Sequence, residues 1–111
     1  FVAPAQKALD DLQKASMWLM QNAMAKPDNA GAASYDYMHL LGRVAMALMW
    51  GRMAAAALEK KASDPASVAR MDAKLTTARF YMERMLPETG LRLARIVTGA
   101  DTMMALGEDM F

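Results

Sequence analysis

Cysteine is absent from the 111 residues. That removes disulfides, thiolate metal sites and a cysteine nucleophile. A single histidine, His39, is too little for a histidine-rich metal centre. Six glycines and four prolines leave few places where a helix must stop. Neither sign of charge dominates: 13 Lys+Arg against 12 Asp+Glu give a net +1. Nothing in that balance draws the chain to nucleic acid or an anionic membrane. No membrane span is expected. The longest mostly apolar run, residues 44–58, is shorter than the ~20 residues a bilayer requires, and Arg52 interrupts it. The phosphate-binding glycine motifs, H-E-x-x-H, G-x-S-x-G and an E-x-x-H pair are all missing. The sequence therefore offers no catalytic, cofactor-binding or metal-ligating residue.

What is present favours helix. Methionine occurs 13 times and alanine is abundant. Both are good helix formers, and 55% apolar content excludes a disordered chain. The spacing predicts a first helix from about Pro4 to Ala25, with Leu9, Leu12, Ser16, Leu19 and Ala23 on one face. Residues 26–31 read as a loop. A second helix should begin between Asn29 and Ser34 and reach about Ala62. Its main stripe is Tyr37, Leu41, Val44, Leu48, Gly51, Ala55 and Leu58, and a second row is Met38, Ala45, Met49 and Ala56. Met46, Trp50, Met53 and Ala57 make the helix apolar nearly all round, as for a helix buried on several sides.

Asp64 and Pro65 stop one helix and start the next. The third helix carries Val68, Met71, Leu75, Ala78, Met82 and Met85. Pro87 should kink it rather than end it, because the stripe continues through Leu86, Gly90, Leu93 and Val97. Residues 100–106 suit a short last helix. The expected fold is all-α: one up-and-down bundle over residues 1–111, of three long helices, the third kinked at Pro87, plus a short C-terminal helix.

Each tempting functional residue has a plainer reading. His39 has only Asp36 one turn back and suits a surface hydrogen bond better than general-base work. Met17, Met20 and Met24, like Met46, Met49 and Met53, are spaced i, i+3, i+7. That spacing could hold Cu(I), but a packed helical face requires the same spacing. Asp10, Asp11, Lys60 and Lys61 read as solvated surface. Glu83 can pair with Arg79. Trp18 and Trp50 suit a core or an interface. The best interface candidates are Met46, Met49, Trp50 and Met53 on the second helix, because three helices cannot cover every side of it.

The segment from Ala78 to Pro87, ARFYMERMLP, is followed by Thr98 to Leu106, TGADTMMAL. Both resemble the C-terminal accessory domain of the large bacterial acyl-CoA dehydrogenases, and residues 107–111 look like that family's end. The stretch from Ser34 to Trp50 resembles its second long helix. The resemblance implies that the chain, which opens on Phe1, is the C-terminal fragment of a longer enzyme. That parent would bind FAD, act in bacterial cytoplasm and oxidise an acyl-CoA to the 2,3-enoyl-CoA, as in fatty acid metabolism. Its catalytic glutamate and flavin contacts would lie in the preceding domains. The bundle would then be non-catalytic, with those catalytic domains and further copies of the subunit as partners in a homo-oligomer. The alternative is a free-standing helical module that binds a partner or an apolar ligand in a Met-rich groove.

Overall fold

A computed structural model describes residues 1–111 and contains helices and turns only. Helix α1 spans Val2–Asn22, and α2 spans Pro27–Ser63, about 55 Å of continuous helix. A 3-10 turn at Pro65–Ser67 leads into α3, Val68–Phe80. A π-helical turn, Tyr81–Met85, joins α3 to α4, Glu88–Ile96. The chain closes in turns and a 3-10 segment at Glu108–Met110.

The breaks follow from local chemistry. Helix α2 starts at Pro27, earlier than the loop expected at 26–31. Proline at the first helical position gives up no hydrogen bond, and Asp28 beside it complements the helix dipole. Asp64 caps the next segment by accepting from the Ala66 N–H at 3.1 Å. The third long helix bends at residues 86–87, as the proline requires. Pro87 has no N–H to donate and its ring crowds the carbonyl one turn back; the turn before it is widened, with the Leu86 N–H donating five residues back to the Tyr81 carbonyl. Thr89 and Gly90 then restart the helix with bonds to the carbonyls of Leu86 and Pro87. Residues 100–106 form turns rather than the regular helix expected there, and the short helical segment falls later, at Glu108–Met110.

The three helical runs lie side by side in an elongated body of 68 × 29 × 16 Å. Helices α1 and α4 pack on each other and on the N-terminal half of α2, while α3 returns along its C-terminal half. One cluster joins Ala8, Ala47, Tyr81, Met82 and Leu86; a second joins Ala15, Ala33, Leu40 and Ile96. Alanine supplies eight of the thirteen buried apolar residues, so the helices approach closely.

That choice displaces the expected stripes. On α2 the buried row is Ala33, Leu40, Ala47, Ala54 and Ala57, whereas Leu41, Leu48 and Leu58 are 47%, 55% and 55% exposed. On α1 the buried positions are Ala8, Asp11 and Ala15, with Leu12, Ser16 and Leu19 half-buried. Reading the largest aliphatics as the core rotates each helix by about one residue. Close helix contacts take the small residues, and the large ones are turned to the flanks and outward. The π turn shifts the phase again, so Ile96 is buried in place of Val97.

Candidate interaction surface

The outward side of α2 is the largest departure from an ordinary solvated helix. Met46, Met49 and Met53 are 46%, 45% and 36% exposed. Trp50 does not join them. It is half-buried beside the first core cluster, with its ring stacked near Tyr81 at 6.4 Å between centroids and 29° between planes. The four residues therefore divide: three methionines face outward, and the tryptophan supports the helix from the inner edge. Met38 adds to the outward side. Met17, Met20 and Met24 are exposed on α1, and Met103 and Met104 on the final turns.

Two polar networks tie the helices together, the first holding α2 to α4 and the second holding α1 to α4. In the first, Arg92 on α4 is buried and donates to the Asp36 carboxylate at 2.8 Å. Its guanidinium also lies over the Tyr35 ring, 5.2 Å from the centroid. Glu88 accepts from Arg43 Nε at 2.9 Å and lies 3.4 Å from Arg92. The Arg43 hydrogen bond holds the Glu88 carboxyl below the usual glutamate range. Tyr81 donates to the Arg43 carbonyl at 2.5 Å, and burial pushes its hydroxyl above the usual tyrosine value. The Asp36 bond in turn raises Arg92 above its ordinary value. His39 takes no part; its ring lies 4.4 Å from that of Tyr35, and Asp36 is committed to Arg92 and Arg95.

The second network was hidden in the sequence. Asp11, expected on the surface, is 1% exposed. Its carboxylate accepts from Lys7 at 2.7 and 2.8 Å and from the Thr89 hydroxyl at 2.8 Å. Lys7 at the i−4 position was the available signal, but Thr89 lies on another helix and gave none. Asn29 is likewise buried, donating to the Asn22 carbonyl and accepting from the Ala100 N–H. The expected Glu83–Arg79 pair does not form; the lysines at the far end of α2 bridge to Asp64 and Asp72.

No three His, Asp or Glu side chains converge as a metal site, and no helix is long and apolar enough to cross a membrane. Several open grooves mark the surface, two of which flank the helices' exposed apolar residues. One of about 490 Å³ runs between Trp18, Met17 and Val97; an apolar one of about 390 Å³ runs between Phe1, Val2, Leu48 and Met82.

A family model described as "Acetyl-CoA dehydrogenase C-terminal like" matches residues 1–107. The chain belongs to that family. It is thus a C-terminal accessory domain of the acyl-CoA dehydrogenases, and the match spans α1, α2, α3 and α4. No curated protein matches the chain. In this acyl-CoA dehydrogenase C-terminal domain Gly99 is the one glycine with positive φ, and it packs against Asn29 and Trp18.

Proposed function

We propose that the chain is the non-catalytic C-terminal bundle of an FAD-dependent acyl-CoA dehydrogenase in the bacterial cytoplasm. It braces the catalytic domains and the subunit assembly. The reaction implied for the parent is oxidation of an acyl-CoA to its 2,3-enoyl-CoA, with FAD as the hydride acceptor. In this reading the acyl-CoA and the flavin are bound by the preceding domains, and the chain itself carries none of the phosphate-binding glycine motifs.

The observation that carries the bracing role is the outward side of α2. It presents Met46, Met49 and Met53 where a solvated helix would carry charge. Contiguous apolar surface of this kind marks contact with another protein surface, and methionine packs adaptably there.

The test is truncation of the full reading frame just before Phe1. The shortened enzyme is expected to keep its flavin and its reduction by acyl-CoA while losing thermal stability and subunit association. A shortened enzyme unchanged in both, or a full enzyme that no acyl-CoA reduces, overturns the proposal.

A further inference from the structure

Helix α2 carries two heptad seams, and only one is used. The inner seam is Ala33, Leu40, Ala47 and Ala54, spaced by seven and buried against the other helices. On the outer side, positions alternating by four and three between residues 35 and 59 are all exposed. Such a 4-3 alternation keeps one face toward a partner helix along a coiled coil. A solvated helix has no reason to keep it apolar, yet only Arg52 and Glu59 in this series carry charge.

We propose that this outer seam is a self-recognition surface, on which two copies of the chain pair through antiparallel α2 helices, with residue 45 of one opposite residue 49 of the other. This gives the assembly role proposed above a specific register.

Volume and charge select that pairing. In antiparallel seams the two kinds of core position face each other. The register then sets Met49 against Ala45 of the second copy and Met38 against Ala56. Arg52 meets Gly42, where a side chain added at the glycine would meet nothing within 4 Å. The aliphatic stem of Arg52 fills that hole while its guanidinium reaches water. Tyr35 meets Glu59, phenol against carboxylate. Every layer from 38 to 56 thus joins a large residue to a small one, as knobs require holes. A two-fold axis generates each pair twice, which is the closed arrangement expected of a homodimer.

A parallel pair has none of this. It would stack Met49 on Met49 and Ala45 on Ala45, leaving alternate crowded and empty layers. It would also place Arg52 against Arg52 and Glu59 against Glu59. In the antiparallel pair each Arg52 stands about 15 Å along the axis from its counterpart, beyond the ~10 Å screening length of 0.1 M salt. The seam is about 36 Å long. Exposed Leu41 and Leu48 on one flank and Met46 and Met53 on the other widen it toward the ~800 Å² per partner of a standard interface.

The absence of cysteine makes the register directly testable. Ala45→Cys and Met49→Cys chains of 111 residues, carrying different mass tags, are mixed and oxidised. Circular dichroism checks that both keep the wild-type helix content, as exposed sites should. Mixed disulfides are expected to form about tenfold faster than either self-disulfide, since only the mixed pair meets the geometry a disulfide demands. Sedimentation of the wild-type chain should show a concentration-dependent dimer, and Met49→Glu a monomer. Self-disulfides that equal or exceed the mixed product, a wild-type chain monomeric at all concentrations, or a dimer indifferent to Met49→Glu overturns the proposal. None of these readings depends on flavin or acyl-CoA, so this pairing and the proposed chemistry of the parent fail separately.

Discussion

The Asp11 carboxylate on α1, 1% exposed, accepts the Thr89 hydroxyl of α4 at 2.8 Å. Two residues 78 positions apart thus tie the first helix to the segment just beyond the bend. A buried carboxylate is tolerated only with its acceptors filled, and here Lys7 fills the rest. Thr89→Val keeps the shape but removes the donor. It is expected to lower unfolding free energy by about 1–3 kcal/mol, read from urea denaturation. A Thr89→Val chain as stable as wild type would mean that Lys7 alone satisfies Asp11.

A second joint is Gly99, at φ +73°, where an added side chain would lie 3.1 Å from Asn29 Oδ1. Gly99→Ala meets both the left-handed backbone and the Asn29 clamp, and should cost about 1–2 kcal/mol from the backbone alone. Asn29→Ala frees the Asn22 carbonyl and the Ala100 N–H. Hydrogen exchange of the Ala100 amide should then rise well above its wild-type rate, with amides at the far end of α2 unchanged.

Glu88 supplies a pH signature. Its carboxyl is held below the ordinary glutamate value, first by the Arg43 hydrogen bond. A depressed folded-state value contributes stability above the unfolded-state value, near pH 4.5, and loses it as pH falls through the folded-state value. Wild-type stability should therefore decline on acidification below that point. Glu88→Gln should be less stable near neutrality and decline less steeply in the same window. Thermal melts of both chains from neutral pH into acid read the difference, and parallel curves would remove Glu88 from the acid response.

Trp50 is half-buried against Tyr81 rather than enclosed. Trp50→Ala should cost less than the ~3–5 kcal/mol of a fully buried tryptophan. Denaturation at several chain concentrations separates that folding cost from any loss of association.

Legibility in the sequence divided along physical lines. The Asp64-Pro65 junction and the bend at Pro87 were readable because one residue dictates each of them. The phase of α2 was not. Leu41, Leu48 and Leu58 outweigh Ala47 and Ala54 in hydrophobicity, and only the close approach of other helices shows why alanine goes inside. Asp11 and Asn29 were opaque because their partners, Thr89 and Ala100, are remote in sequence. The outer seam was half visible: Met38, Ala45, Met49 and Ala56 form a row in the sequence, but whether that row was core or surface awaited the packing.

The proposed division of labour between this bundle and the rest of its enzyme is tested by the visible absorption spectra of two purified proteins, the 111-residue chain and the product of its full reading frame. Flavin is expected at one per subunit in the long protein, bleached on adding an acyl-CoA, and none is expected in the short one. Stoichiometric flavin in the 111-residue chain, or a full-length product without any, would contradict it.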